Sequence, residues 1–200
     1  MKQLAKALTI LGVAAFSFTS CAKEKQKKSD ETIKSFSSVT IGNQNHSAGN
    51  IVDLDAGKVY TLAQAHDQQE SIDLIFYHDN PTNSLWIACP SSFSEFTTIA
   101  LPMESTPTYG TNFWTTLTTM EIGNTDITSG TFDGISTFAA LSSTFKNDYH
   151  VMIGAASNPS PGEVYKFRTG NGKIGLIRIN SHNGNHSVSG SCKVDIKIQQ

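Results

Sequence analysis

The chain is short of charge and shorter of cysteine. Only 16% of its 200 residues are Asp, Glu, Lys or Arg, with 15 basic against 17 acidic residues. That balance excludes a basic nucleic-acid binder and a long charged coiled coil. No apolar run reaches the about 20 residues that a membrane-spanning helix requires, so a multi-pass membrane protein is excluded too. Three cysteines are too few for a disulfide-built scaffold, and the odd number gives at least one of them another role. Catalytic signatures are missing as well: there is no GxSxG nucleophile elbow and no HExxH zinc helix. Paired-carboxylate hydrolysis needs no local spacing and stays open, although no pair of acids stands out. What the chain has in abundance is Ser, Thr and Asn, 57 residues together. The length suits one domain, since a chain of about 150 residues buries roughly 70% of its unfolded surface.

The N-terminus accounts for one cysteine. Lys2 and Lys6 form a positive start, Ala7 to Phe18 an apolar stretch of 12 residues, and Thr19 and Ser20 a small-residue approach to Cys21. This reads as an export signal over residues 1–20. It resembles a bacterial lipoprotein signal, which implies cleavage before Cys21 and a diacylglyceryl group, with palmitate-like chains, on its sulfur. Phe18 departs from the usual Leu. Several acyl chains exceed the two signals needed for stable membrane anchoring. Residues 21–34 are rich in Lys and Glu, lack aromatics and read as a disordered tether. A Lys/Glu-rich stretch in this place is similar to the surface-export signal of Bacteroidota lipoproteins. The expected location is the outer membrane, on its periplasmic or its surface face.

From Ser35 to Gln200 the pattern is that of a single domain. Eight basic residues face fourteen acidic ones there, a net charge of −6, so polyanions are poor partners. Strands are expected at Ser35–Ile41, Ile51–Asp55, Ser71–His78, Leu85–Cys89, Val151–Gly154, Val164–Thr169, Lys173–Asn180 and Ser187–Ile198. Thr61 and Gln64 make a capping box for a helix over about 61–70. Asp133 is placed to cap a second helix running to about Phe145. Gly170-Asn171-Gly172 and Asn183-Gly184 read as hairpin turns. Residues 91–150 otherwise show no clean period. The fold class is mainly β (α+β): an antiparallel sandwich or barrel-like domain with one or two short helices.

The stretches Lys58–Ala65, Ser71–Tyr77, Val164–Thr169 and Gly172–Ile179 together resemble a group of small Bacteroidota lipoproteins of unknown function, from about residue 51 to the end, with 91–150 unmatched. The resemblance implies an exported β-rich lipoprotein. It brings no known activity and assigns no functional residue.

Several local patterns invite chemistry. Gly170 to Gly175 spells GxGxxG, but it lies between two strand patterns with no helix to receive a pyrophosphate, so it reads as a turn. His182 and His186 flank a turn and would supply half a metal site, with no carboxylate or thiol nearby in sequence to complete it. Asp53-Leu54-Asp55-Ala56-Gly57 misses the calcium-loop spacing, with Gly57 fifth and Gln64 twelfth. Tyr109 and Trp114, set among Thr, Gly and Asn, are candidates to stack on sugar rings or to pack in the core. Cys89 and Cys192 both fall on strands. Either they pair, closing a loop of about 100 residues worth ~4 kcal/mol, or they are two buried thiols. The expectation is a non-catalytic envelope protein, with no catalytic residue, metal or cofactor assigned. It is anchored to the membrane through Cys21 and binds a glycan or an envelope protein. A carboxylate-dependent hydrolase is the remaining alternative.

Overall fold

The computed structural model describes residues 31–79, 83–94, 114–146, 155–184 and 187–200. Ten strands and three short helices follow one another: β1 (Ile33–Gly42), β2 (Ile51–Asp53), β3 (Lys58–Tyr60), α1 (Leu62–His66), β4 (Leu74–Asp79), β5 (Ser84–Ala88), β6 (Met120–Asn124), α2 (Ser129–Gly134), α3 (Phe138–Ser143), β7 (Ala155–Ser157), β8 (Val164–Thr169), β9 (Ile174–Asn183) and β10 (Ser191–Gln199). They form two antiparallel five-stranded sheets, ordered β1-β10-β9-β8-β6 and β3-β2-β4-β5-β7. The sheets pack face to face as an open sandwich, so of the two expected architectures the barrel is the one not formed.

The sequence pattern explains the layers. In β10, Cys192, Val194, Ile196 and Ile198 point inward and are almost wholly buried, while Lys193, Asp195 and Lys197 alternate outward, the period-2 signature of a strand with one face on the core. In β4 every residue is buried. Leu74 and Phe76 join the core between the sheets, and Ile75 and Tyr77 join an outer layer with Ala65 of α1 and Trp114. A strand covered on both faces loses its alternation. The outer face of the other sheet is covered by α2 and α3, whose Phe132 and Leu141 pack on Val164 and Leu176.

Asp195 joins three of these strands. Its carboxylate accepts the Ser38 amide (2.7 Å), where β1 bulges with Ser38 at φ 56°. It also accepts the Asn180 side chain (2.8 Å), where β9 shifts register, and it pairs with Arg178 at 2.5 Å. Burial works to raise its pKa, but the Ser38, Arg178 and Asn180 hydrogen bonds outweigh it and hold the carboxyl below its ordinary value. Arg178 also reaches Asp133 of α2 at 2.7 Å and lies 4.5 Å from the centre of the Phe132 ring. Lys197 donates to the Phe132 and Ile135 carbonyls at the end of α2 (2.7 and 2.5 Å), satisfying C-terminal acceptors that a six-residue helix leaves open.

Several boundaries differ from expectation; α1 ends at His66 and not near residue 70, and β4 begins at Leu74 and not at Ser71. Ile33 and Lys34, expected in the tether, belong to β1 and face Gln199 and Ile198; Ile33 packs beside the α2–α3 layer and Lys34 pairs with Asp55 at 3.1 Å. The helix expected from Asp133 to Phe145 is two helices, because α2 ends at Gly134 and Ile135, Ser136 and Thr137 separate it from α3. Thr128 and Thr137 each cap one of them, accepting the Thr131 and Ala140 amides at 3.2 Å. The turn after Asn183 spans Gly184 to Gly190, since β10 resumes only at Ser191, opposite Asn183. The Gly170–Gly172 turn joins β8 to β9 as expected, with Thr169 accepting and donating across it to Lys173. The expected strand at 151–154 lies outside the described residues.

The sandwich has two unlike ends. At one end the termini of the domain meet: the Gln200 amide donates to the Thr32 carbonyl at 2.9 Å. At the other, β1 delivers Gly42 opposite Ser191, ten residues or about 33 Å away.

Candidate functional site

The end remote from the termini carries a cleft of about 130 Å³. Its walls are loops made from the Asn-, Pro- and Gly-rich segments of the sequence, residue types that favour turns because they bond their own backbone or fix φ. The β1–β2 loop is fastened to the β9–β10 loop by Asn43 N–H to the Gly190 carbonyl (2.7 Å) and Asn45 N–H to the Val188 carbonyl (2.8 Å). The Asn43 side chain adds a bond from Nδ2 to the Ser187 carbonyl at 2.5 Å. On the opposite wall Asn158, at φ 49°, extends the pairing of β7 with β5. Its amide donates to the Leu85 carbonyl (2.6 Å) and its Oδ1 accepts the Leu85 amide (3.1 Å). His182 of β9 closes the ring, with Nε2 2.7 Å from the Pro159 carbonyl. A carbonyl only accepts, so Nε2 carries the hydrogen there. Leu85, Pro159 and Pro161 are its apolar members, and among the described residues no Lys, Arg, Asp or Glu lines the cleft.

The terminal end carries the acidic residues. Asp53 accepts the Ala56 amide (2.8 Å) and so holds the β2–β3 turn. Asp55 is gripped by Lys173 (2.8 Å) and Lys34 (3.1 Å). The Lys173 hydrogen bond, joined by Lys34 against a smaller opposing effect of burial, holds its carboxyl below the usual range. Asp73 accepts the Leu54 amide (2.8 Å). Its carboxyl is pushed up to about 7, chiefly by burial and further by the charges of Asp53 and Asp55, with the Leu54 amide and Lys173 opposing. These residues tie β1, β2 and the β8–β9 turn together, which is a structural use of all three carboxylates.

The cysteines sit at opposite ends of one core. Cys89 follows β5 and is 2% exposed, with Sγ 3.2 Å from Ser91 Oγ and 3.0 Å from Ser92 Oγ. Burial pushes its thiol up, but those hydroxyls and the Met120 and Ser92 amides outweigh it and lower the pKa. Cys192 is 3% exposed and pushed up to about 12 by burial alone. Of the two readings of Cys89 and Cys192, the structure has the pair of buried free thiols and not the bridge. The reason is register. Cys89 adjoins Met120, which faces Thr169 at the terminal end, whereas Cys192 faces His182 at the remote end. Nine residues of β9, on the order of 30 Å of strand, separate those levels, against the ~7 Å between Cα atoms that a disulfide tolerates.

Trp114, a candidate for sugar stacking, is 7% exposed and packs with Tyr77 and Ile75 on the outer face of β4. It is held there because the Thr115 and Thr116 amides both donate to Gln69 Oε1, at 2.8 and 3.1 Å. A ring so covered presents no face to a ligand. Trp86 and Tyr77 stack beside it across β4 and β5, with centroids 6.4 Å apart. Tyr109, Cys21 and His186 lie outside the described residues. No three or more of His, Cys, Asp and Glu among the described residues are placed to hold a metal ion, and no described helix is long and apolar enough to cross a membrane.

Of the candidates named from sequence that fall among the described residues, only His182 lies in the cleft. Asn43, Leu85 and Asn158 were not singled out, since nothing in their spacing links positions up to 115 residues apart. The chain matches no protein-family model, no curated protein and no solved structure.

Proposed function

We propose that this chain is an exported, lipid-anchored protein of the bacterial cell envelope that acts as a non-catalytic binding module. The observation that carries the reading is the polarity of the sandwich. The chain enters β1 at the end where Thr32 meets Gln200, just downstream of Cys21 and its charged tether. The cleft lies at the opposite end, about 33 Å along β1. A tether from Cys21 therefore joins the domain at the end opposite the cleft, and no part of the tether has to pass the cleft to reach β1. The outer membrane is the expected home, and the short tether keeps the domain near its surface.

Cell fractionation tests the anchor. The native chain is expected in the membrane pellet and released only by detergent, while Cys21→Ser appears in the soluble envelope fraction. Equal distribution of the two proteins would remove the anchor.

A further inference from the structure

We infer that the remote cleft binds one neutral sugar residue of a larger glycan. The inference rests on the binding-module reading above and names its ligand class. Three observations carry it.

The first is half-used bonding capacity. Asn43 is only 4% exposed and its Nδ2 is committed to Ser187, yet among the described residues its Oδ1 takes no hydrogen bond. Asn158 spends its Oδ1 on the Leu85 amide, and its Nδ2 has no bond among the same residues. His182 spends Nε2 on Pro159 and has Nδ1 left. Each side chain is thus fixed by one polar atom while a second remains for a ligand, which is what preorganised recognition requires. Asn183 lines the same cleft, exposed and without a side-chain hydrogen bond among the described residues.

The second is charge. Among the described residues the polar lining is amide, imidazole, the Ser160 and Ser191 hydroxyls and backbone, with no acid or cation. A phosphate, a carboxylate-terminated peptide or an amine would find no counter-ion, so burying its charge there is costly. Hydroxyl groups, which both donate and accept, fit a mixed set of amide oxygens and nitrogens. Pro161, which is exposed in the same lining, offers an apolar surface for the C–H face of a ring.

The third is size. About 130 Å³ is well below the ~300 Å³ at which pockets for whole drug-sized ligands begin. It accommodates one ring of a longer molecule and not a nucleotide cofactor.

The test is NMR titration of the detergent-solubilised full-length protein with neutral monosaccharides (glucose, galactose, mannose and N-acetylglucosamine), with uronic acids and short neutral peptides as separate arms. At least one neutral sugar should shift the side-chain amide signals of Asn43, Asn158 and Asn183, with millimolar or tighter affinity. Asn183→Ala removes one exposed hydrogen-bonding group and should weaken that sugar about fivefold with an unchanged melting temperature. Asn171→Ala, at the terminal end, should change nothing. No response to any neutral sugar, a response confined to other residues, or binding of only the peptides or the uronic acids would each overturn the inference. Because fractionation of Cys21→Ser reads the anchor independently, failure of the sugar assignment is distinguishable from failure of the envelope reading.

Discussion

Replacing Asp73 by Asn should stabilise the protein in alkali and leave it almost unchanged in acid. The carboxyl ionises near 3.8 in the unfolded chain but only near 7 in the folded one. Between those values the folded state holds a proton that the unfolded state has lost, so stability falls as pH rises through about 7. A shift of about three units, at 1.36 kcal/mol each, sets an upper bound of about 4 kcal/mol. Below pH 4 the acid is neutral in both states and the penalty vanishes. Asn mimics the neutral acid and retains an oxygen for the Leu54 amide, whose bond to Asp73 Oδ2 is 2.8 Å. Urea unfolding of both proteins from pH 4 to pH 9 reads this carboxyl together with its repulsion of Asp53 and Asp55. The difference curve should be near zero at pH 4 and rise through neutrality to between about 1 and 4 kcal/mol at pH 8.5. A flat difference, or a variant less stable at pH 8.5, would refute the burial of Asp73 as described.

Other outcomes follow from the same geometry. Arg178→Ala leaves Asp195 with a largely buried charge, since the Arg178 and Asp195 side chains are 15% and 13% exposed; it should cost about 3 kcal/mol in urea unfolding, and Asp133→Ala, at a side chain 65% exposed, less than about 1 kcal/mol. Trp114→Ala should cost about 3–5 kcal/mol through lost packing, while Trp114→Phe should leave any sugar titration of the cleft unaltered. Neither Cys89 nor Cys192 should react with a thiol reagent before unfolding, and adding a reductant should leave the melting temperature where it was.

The strands that sequence made legible are those with an unbroken apolar or alternating pattern. β4, β5, β8, β9 and β10 were readable because Leu74 to Tyr77, Leu85 to Ile87 and the Val194–Ile198 alternation leave few other solutions. β6 was not, because its five residues include Glu121, Gly123 and Asn124 and follow a Thr-rich run without period; it is defined by pairing with β8. The break after Gly134 is not legible because Asp133 looks like a cap, whereas Thr128 and Thr137 do that work. The cysteine pairing failed on something local sequence does not carry, namely which end of which strand each thiol occupies. The cleft was hidden for a related reason. Asn43, Asn158 and Asn183 are ordinary turn residues one at a time, and only the sandwich's strand order brings their loops together. His182 was noticed for its neighbour His186, and the structure gives it a different use, with one ring nitrogen holding Pro159.

The central claim is that Cys21 carries the lipid that holds the domain at the membrane. Mass spectrometry of the N-terminal peptide from detergent-extracted protein tests it most directly. The account predicts a chain beginning at Cys21, with a diacylglyceryl group on its sulfur and a further acyl chain on its amino group. An unmodified Cys21, or a chain cut elsewhere, would contradict it.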